Sequence, residues 1–329
     1  MKQYHFAIVG ATGLVGRTFL KVLEEYDLPI ASLHLFASEK SKGKKILFQG
    51  KEIEVEALSP TCFQGIDFAL FSAGASISKE WAPVAEKEGA IVVDNSSCWR
   101  MDESVSLIVP EINIEDYHEK RKIIANPNCS TIQSVLPLKA LDEEFHLKRV
   151  VYTTYQAVSG SGMKGIEDLR RCQKGEKNQF YPYDISQTCI PEIDVAMDNL
   201  YTKEEMKMVN ETRKILHRPN LKVAATCIRV PVEVAHGVVM QCEFENEVSV
   251  ERAREVLTSM EGIKVVDDLK NHIYPVSTLA KDNDFVYVGR IRKDLSCENG
   301  LILYCVGDNV RKGAAANAVQ IVKKIIEGR

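Results

Sequence analysis

Residues 4–16 read YHFAIVGATGLVG, a short apolar run that leads into three glycines spaced three residues apart. The apolar and β-favouring side chains of residues 4–9 predict a buried strand. Residues 14–26 then carry apolar side chains at helical spacing, which predicts a helix directly after the glycines. In this order Gly10 permits a tight turn, Gly13 lets the backbone approach a pyrophosphate, and Gly16 allows close helix–strand packing. The stretch therefore predicts a Rossmann-type dinucleotide-binding fold.

The same loop predicts where the cofactor phosphates bind. The N-terminus of a helix presents free N–H groups and the positive end of the helix dipole to an anion. We therefore expect cofactor contacts from Gly10, Thr12, Gly13, Leu14, Val15 and Gly16. A strand-to-helix turn without a ligand is the alternative interpretation.

The end of the second predicted strand, residues 33–37, indicates which cofactor binds. An NAD enzyme usually places an acid there to hold the ribose hydroxyls, whereas a 2′-phosphate needs hydroxyl groups and cations. Ser38, Lys40 and Ser41 supply those groups, so we predict NADP. Glu39 argues for NAD if its carboxylate turns inward, and an exposed charged turn without a ligand is a further alternative.

The order of predicted strands and helices divides the chain into two domains. They alternate over the first 130 residues, which predicts an α/β domain with a doubly wound parallel sheet. The later strands are long and have few helices between them, which is typical of an α+β domain with a mostly antiparallel sheet. Because residues 310–326 return to helical periodicity, we expect a discontinuous cofactor-binding domain (residues 1–129 and 308–329) and a second domain (residues 130–307).

The composition argues against several classes of protein. Of the 329 residues, 45% are hydrophobic and 27% are charged, as in globular chains. A formal net charge of −4 provides no broad basic surface for nucleic acid or an anionic membrane. Nine cysteines without a CxxC pair argue against a disulfide framework or a metal site, so we expect a cytoplasmic protein. No apolar stretch is long enough for a signal peptide or a membrane span.

The stretch most informative about chemistry is Asn126-Pro127-Asn128-Cys129-Ser130-Thr131. A predicted strand ends at residue 125 in a proline turn, and a helix is predicted from about residue 130. A thiol there faces the free N–H groups and the positive dipole end of the helix, which favour the thiolate. Asn128 and nearby amides can hold the oxyanion that forms when sulfur attacks a carbonyl. A cysteine is more often a buried apolar side chain, but this setting predicts Cys129 as a nucleophile.

These stretches together resemble the aspartate-semialdehyde dehydrogenase family. The resemblance includes Tyr155-Gln156-Ala157-Val158-Ser159-Gly160, Arg229 with His236, and Asp308-Asn309-Val310-Arg311-Lys312-Gly313-Ala314-Ala315, and it covers essentially the whole chain. The spacing is similar to the branch of the family found in Gram-positive bacteria. The resemblance implies that cysteine attacks aspartate 4-semialdehyde, hydride passes to NADP, and phosphate cleaves the thioester to aspartyl 4-phosphate. The biosynthetic direction, towards lysine, threonine, methionine and isoleucine, is the reverse.

The resemblance also implies residue roles and a homodimer or dimer of dimers built by the second, catalytic and dimerisation, domain. The catalytic residues would be Cys129, His236 as acid/base group, Gln156 and Asn128. The substrate would be bound by Arg229 at its carboxylate, Glu211 at its amino group and Gln156, and phosphate by Arg100 and Lys214. Near the nicotinamide ring would lie Ser159, Gly160, Pro191 and Asn309.

Without the resemblance, simpler interpretations of these residues stay open. His236 could be a packed or surface histidine, and Gln156 a polar residue on the solvated face of a strand. Glu211 and Lys214 could be an ordinary exposed pair, because residues three apart on a helix share a face.

Three other functions also stay open. N-acetyl-gamma-glutamyl-phosphate reductase shares the fold, cysteine and histidine, although its cysteine usually follows glycine rather than an asparagine such as Asn128. A glyceraldehyde-phosphate-type dehydrogenase is disfavoured by the Asn-Pro-Asn-Cys sequence. A nucleotide-binding regulator without catalytic activity is disfavoured by the presence of Cys129, His236, Arg100 and Arg229 together.

Overall fold

The computed structural model describes residues 2–328 and contains two sheets with helices packed on them. The strands are β1 (Tyr4–Val9), β2 (Ile30–Ala37), β3 (Lys45–Phe48), β4 (Lys51–Ala57), β5 (Phe68–Phe71), β6 (Ile91–Asp94), β7 (Ser106–Leu107), β8 (Ile123–Ala125), β9 (Leu147–Gln156), β10 (Lys222–Arg229), β11 (His236–Phe244), β12 (Ile263–Val265), β13 (Val286–Lys293) and β14 (Gly300–Gly307). The α-helices are α1 (Leu14–Glu25), α2 (Ala75–Lys87), α3 (Pro110–Asn113), α4 (Cys129–Phe145), α5 (Met163–Gln173), α6 (Lys203–Ile215), α7 (Val250–Ser259), α8 (Ser277–Ala280) and α9 (Ala316–Ile326). Over residues 2–328 no helix is long and apolar enough to cross a membrane.

The chain divides into two compact units. The first contains the residues up to Pro127 and those from Ala314 onward, and the second contains Asn128–Gly313. The boundaries predicted from the sequence lie after residues 129 and 307. The structure therefore places residues 308–313, which include the start of the short π-helix Arg311–Ala315, in the second unit.

The first unit is built on an eight-stranded sheet in the order β3-β4-β2-β1-β5-β6-β8-β7. All neighbours run parallel except the β3–β4 hairpin, which confirms the predicted doubly wound parallel sheet. The core joins the apolar face of β1 to the buried faces of α1 and α9, with Phe6, Ile8, Phe19, Leu23 and Val319 among its residues. Because β1 is central and pairs on both sides, the loop that follows it is held by strands on either side.

The second unit is built on a six-stranded sheet in the order β10-β9-β11-β14-β13-β12. Its three central pairings are antiparallel and its two outer pairings are parallel, which confirms a mostly antiparallel sheet. Helix α4 is buried on nearly every side and packs against α6, α7 and the strands β9, β11, β13 and β14. Because α4 is packed in this way, it cannot shift without disturbing the core, and its first residue is therefore fixed in position.

Candidate active site

The glycine loop of the first unit connects β1 to α1, as the sequence predicts. Gly10 has a φ of +91°, and a Cβ there would lie 2.9 Å from backbone atoms of Ser72. A Cβ on Gly16 would lie 2.2 Å from the carbonyl oxygen of Gly10. Both positions require glycine, because a side chain would meet backbone atoms that are fixed by the sheet.

The start of α1 is suited to a phosphate ligand. Its N-cap is Gly13, so no side chain accepts from the first-turn N–H groups, and no acidic residue lies in that turn. Unsatisfied N–H groups and the helix dipole both attract an anion. Gly13 is exposed, and Thr12, Leu14 and Val15 are half-buried. The residues predicted from the sequence therefore fit the phosphates of a dinucleotide.

The turn after β2 carries the residues predicted to select the cofactor. Ser38 and Lys40 are exposed, whereas Ser41 is buried and donates its backbone N–H to the carbonyl of Ser38 at 2.7 Å. Glu39 is exposed in the same turn. A ligand at the end of β2 would therefore meet both a cation and a carboxylate.

Arg100 lies in the first unit, beyond the end of β6. Its buried guanidinium donates from Nε to the carbonyl of Asn126 at 3.0 Å and from Nη2 to the carbonyl of Asn95 at 2.8 Å. The side chain of Asn126 is held in turn, because its Oδ1 accepts from Asn317 Nδ2 at 2.7 Å. Arg100 is thus anchored on the residue three positions before Cys129 in the chain.

In the second unit, Cys129 is the first residue of α4 and Asn128 is the N-cap. Asn128 Oδ1 accepts from the backbone N–H of Ser130 at 2.9 Å and of Thr131 at 3.2 Å. These bonds satisfy two of the donors that a helix start leaves unpaired. Cys129 is half-buried and follows this fixed cap directly.

Two acidic residues of α6 hold Asn128. Its backbone N–H donates to Glu211 Oε2 at 2.6 Å, and its Nδ2 donates to Glu204 Oε1 at 2.8 Å. Because Oδ1 serves the helix cap, the oxyanion role predicted for Asn128 rests on the second Nδ2 hydrogen. Glu211 is buried, so the alternative of an exposed pair with Lys214 is wrong for Glu211, while Lys214 itself is half-buried.

Three predicted side chains meet at one edge of the second sheet. Arg229 and Gln156 are the last residues of β10 and β9, and they are direct partners in that parallel pair. His236 is the first residue of β11, which runs antiparallel to β9. Parallel strands end, and an antiparallel neighbour begins, at the same edge of a sheet. All three residues are buried there.

The ring of His236 is held so that it can donate a hydrogen bond. The Ala157 N–H donates to Nδ1 at 2.9 Å, so the neutral ring carries its hydrogen on Nε2. Burial, and then the nearby Arg229 guanidinium, lowers the pKa of His236 well below its usual value. Within residues 2–328, the buried Nε2 has no hydrogen-bond partner. At neutral pH the ring therefore offers an Nε2–H donor.

Arg229 offers donors beside this ring. Its Nη1 donates to the carbonyl of Ala157 at 2.7 Å, and its buried Nε has no partner in the described part of the chain. A Cβ on Gly160 would lie 2.8 Å from Arg229 Nη1 and 3.3 Å from His236 Nε2. Gly160 therefore leaves space beside both donors, an arrangement suited to a carboxylate or an oxyanion.

Helix α4 brings Cys129 to the same region. Gln133 lies one turn after Cys129 on the same helix face, and its Nε2 donates to the carbonyl of His236 at 3.0 Å. A Cβ on Gly313 would lie 2.9 Å from the Cβ of Cys129. Cys129 is thus packed against the backbone of Gly313 and linked through Gln133 to the backbone of His236.

The residues predicted near the nicotinamide are partly joined. Ser159 Oγ lies 2.9 Å from Asn309 Nδ2 and 3.0 Å from its Oδ1. Asn309 Oδ1 also accepts from the backbone N–H of Ala235 at 2.9 Å, next to His236 in the chain. Pro191 is exposed and follows the residue that bridges to the backbone of Arg229.

Sequence reasoning missed Glu204, which lies on the buried face of α6. Glu204, Met208 and Glu211 are spaced four and three residues apart, and all three are buried. Residues at this spacing point to one side of a helix. An acidic residue repeated in an otherwise apolar stripe is the signal that could have identified it.

Family models match both units. Residues 5–120 match the semialdehyde dehydrogenase NAD binding domain, and residues 138–312 match the semialdehyde dehydrogenase dimerisation domain. The first match contains the glycine loop and Arg100, and the second contains the three residues of the sheet edge.

Individual proteins match over nearly the full length. The aspartate-semialdehyde dehydrogenase of Aquifex aeolicus (strain VF5) is 53% identical, with 98% of each chain covered. That of Bacillus subtilis (strain 168) is 44% identical, with 98% of this chain and 97% of the relative covered. The crystal structure of aspartate semialdehyde dehydrogenase II from Vibrio cholerae complexed with ASA is 42% identical and superposes with a TM-score of 0.96, with 99% of each chain covered. The chain belongs to the aspartate-semialdehyde dehydrogenase family.

Proposed function

We propose that the protein catalyses the NADPH-dependent reduction of L-aspartyl 4-phosphate to L-aspartate 4-semialdehyde, with release of phosphate, and the reverse reaction. The observation that carries this proposal is the joining of Cys129, at the capped start of α4, to the sheet edge that bears Arg229, Gln156 and His236. The reaction would serve the biosynthesis of lysine, threonine, methionine and isoleucine. We place it in the cytoplasm, where a catalytic thiol stays reduced.

In the acylation step, the thiolate of Cys129 attacks the acyl carbon of the substrate. The bond from that carbon to the phosphate oxygen breaks, and phosphate leaves with the electron pair, so that a thioester remains on sulfur. Arg229 would bind the substrate carboxylate through its planar fork, and Glu211 the amino group. Arg100 and Lys214 would bind the phosphate.

In the reduction step, bound NADPH supplies the hydride that reduces the thioester carbonyl. The oxygen then carries negative charge, which the Nε2–H of His236 and the second Nδ2 hydrogen of Asn128 would stabilise. When the oxygen re-forms its double bond to carbon, the carbon–sulfur bond breaks and Cys129 returns as thiolate. We propose this hydrogen-bond donor role for His236 in place of the acid/base role that the family resemblance implies. The reaction steps above need a donor there, and Nδ1 of the neutral ring already accepts from Ala157.

The NADP preference is proposed from the turn after β2. Ser38, Lys40 and Ser41 offer two hydroxyl groups and one cation for a 2′-phosphate. The opposing contribution of Glu39 is tested by the Lys40 variant described in the Discussion.

We also propose a homodimer, because residues 138–312 match a family model described as a dimerisation domain. Light scattering coupled to size-exclusion chromatography should give twice the mass of the chain. Four times that mass would indicate a dimer of dimers, and a single chain mass would argue against the proposal.

A direct spectrophotometric assay tests the reaction. Purified protein, phosphate and NADP are mixed with L-aspartate 4-semialdehyde, N-acetylglutamate 5-semialdehyde or glyceraldehyde 3-phosphate, and the absorbance of reduced cofactor is followed. We expect turnover with the first substrate alone. A preference for the second would support the glutamyl-phosphate reductase, and a preference for the third the glyceraldehyde-phosphate type. Binding of NADP without turnover of any substrate would support a regulator.

The two arginines should divide the substrates between them. Loss of a charge-assisted hydrogen bond costs about 1.5–3 kcal/mol, which corresponds to roughly 10- to 100-fold in affinity. We expect Arg229→Leu to raise the KM for the semialdehyde by that factor and to change the KM for phosphate little, and Arg100→Leu to do the reverse. If each variant affects both substrates equally, the assignment is wrong.

A further inference from the structure

Glu204 is a buried carboxylate to which the proposed chemistry assigns no role. It is the second residue of α6 and is only 5% exposed. A buried ionised group is costly unless its hydrogen-bonding capacity is used. The contacts of Glu204 therefore show what the residue does.

Both carboxylate oxygens of Glu204 accept hydrogen bonds. Oε1 accepts from Asn128 Nδ2 at 2.8 Å and from Gln156 Nε2 at 3.1 Å. Oε2 accepts from Lys207 Nζ at 3.0 Å, and the same ammonium donates to Asp194 Oδ2 at 2.8 Å. One carboxylate oxygen thus joins two amides that the reaction uses, while the other is paired with a cation.

The charge on Glu204 is maintained despite its burial. Burial alone would raise the pKa of this carboxyl, but the Lys207 ammonium and the donors on Asn128 and Gln156 hold the pKa below its usual value. Glu204 is therefore ionised at neutral pH. An ionised carboxylate accepts hydrogen bonds and cannot donate them.

This restriction decides which way each amide is turned. Asn128 must present its nitrogen to Glu204, which leaves Oδ1 to cap α4 at Ser130 and Thr131. Gln156 must also present its nitrogen, which donates to Thr154 Oγ1 at 3.3 Å as well, so its oxygen remains as an acceptor. The opposite orientation of either amide would place oxygen against oxygen.

We propose that Glu204 is a positioning residue that sets the orientation of the Asn128 and Gln156 amides, and through Asn128 the helix start that carries Cys129. In this role Glu204 acts through the two amides that donate to it. The inference rests on the proposed function, because the two amides matter only if Cys129 is the nucleophile.

The substitution Glu204→Gln keeps the size of the side chain but replaces one acceptor oxygen with a donor. We expect kcat with L-aspartate 4-semialdehyde to fall about tenfold or more, because small displacements of reacting groups cost up to about 100-fold. Glu247→Gln removes an exposed carboxylate from the same unit and should leave kcat unchanged. Far-UV circular dichroism and the urea midpoint establish that the compared variants are folded.

A double-mutant cycle separates positioning from a merely structural role. We compare the fold-loss in kcat caused by Glu204→Gln in the unaltered protein with the fold-loss it causes in a Gln156→Ala background. The second fold-loss should be at least about threefold smaller, because the effects of residues that act through one another are not additive. The same factor in both backgrounds would overturn the proposal. If Glu204→Gln does not fold, Glu204→Asp enters the same cycle, since it keeps the charge but withdraws the oxygen from both amides.

The result is distinguishable from failure of the proposed function. If the unaltered protein does not turn over the semialdehyde, the proposed function fails. If it does and the cycle is additive, only the role of Glu204 fails.

Discussion

Two helices of the protein begin just after a strand and a turn, and they begin in opposite ways. In the first unit, α1 has Gly13 as its N-cap, which provides no capping side chain. In the second unit, α4 has Asn128 as its N-cap, and the Asn128 side chain accepts from two backbone N–H groups. The loop before α1 consists largely of glycine and small residues, whereas Asn128 is itself held by Glu204 and Glu211.

The difference fits the role that we propose for each helix start. A diffusible phosphate needs N–H groups that no protein atom has already satisfied, and the uncapped start of α1 offers such groups. Cys129, the proposed nucleophile, is part of the chain and needs a fixed position, which a capping side chain that is itself anchored provides. An uncapped helix start thus suits a ligand, and a capped one suits Cys129.

The largest effect should come from the capped start. Cys129→Ser should reduce turnover below about a hundredth, because serine does not form its alkoxide at neutral pH and the thioester route is lost. The variant should fold as the unaltered protein does, because it keeps the Asn128 cap. It should also bind NADP equally well, because the glycine loop lies in the first unit. Circular dichroism and fluorescence titration measure these two properties. Retention of more than about a tenth of the activity would mean that another group is the nucleophile.

At the uncapped start of α1, substitutions of two glycines should have different effects, one mainly on stability and the other mainly on NADP binding. Gly16→Ala places a Cβ 2.2 Å from the Gly10 carbonyl and should cost about 3 kcal/mol of unfolding free energy in urea. Gly13→Ala meets the same oxygen at 3.3 Å and should cost no more than about 1 kcal/mol. The Gly13 variant should instead weaken NADP binding about tenfold, because its methyl group occupies the approach of the pyrophosphate. Equal losses of stability would break the comparison.

Lys40→Ala tests whether the turn after β2 in the first unit selects NADP over NAD. Loss of a charge-assisted bond to a 2′-phosphate, about 1.5–3 kcal/mol, should weaken NADP use about tenfold or more. NAD use should barely change, because NAD has no phosphate there. Lys51→Ala, an exposed lysine at the start of β4, is the matched control and should alter neither cofactor. Equal use of both cofactors by the unaltered protein, or a preference for NAD, would show that Glu39 controls the pocket.

The smallest expected effect is a change in the pH dependence of stability that comes from His236 in the second unit. Because the pKa of His236 is lowered in the folded protein, below about pH 6.5 this residue binds a proton in the unfolded chain but not in the folded chain. Stability contributed by this group is therefore complete above about pH 6.5, the unfolded value, and is lost as pH falls below it. Urea unfolding at about pH 7 and about pH 5.5 should show a larger loss for the unaltered protein than for His236→Asn. His118→Asn, at an exposed position, should behave as the unaltered protein, and parallel losses for His236→Asn would show that the ring is protonated in the fold.

The sequence was informative where structure depends on neighbouring residues. The strand at residues 4–9 agrees with β1 at both ends, and the helix predicted from about residue 130 begins at Cys129. The β3–β4 hairpin was not predicted, although residues 51–57 alternate between charged and apolar side chains. Its short strands lie at a sheet edge next to a run of lysines, and that run suggests a charged turn rather than a strand.

By itself the sequence determined the glycine loop, the helix start at Cys129 and the two fold classes, because glycine conformation, capping and hydrophobic periodicity act over a few residues. Only the tertiary structure decided that Arg229, Gln156 and His236 meet at one edge, since that depends on β9 pairing with a parallel neighbour on one side and an antiparallel neighbour on the other. It also decided that His236 is a neutral donor and that Glu204 orients two amides. Both follow from burial and from partners distant in the chain, which set the charge and the hydrogen bonds of a group that the sequence shows only as a residue type.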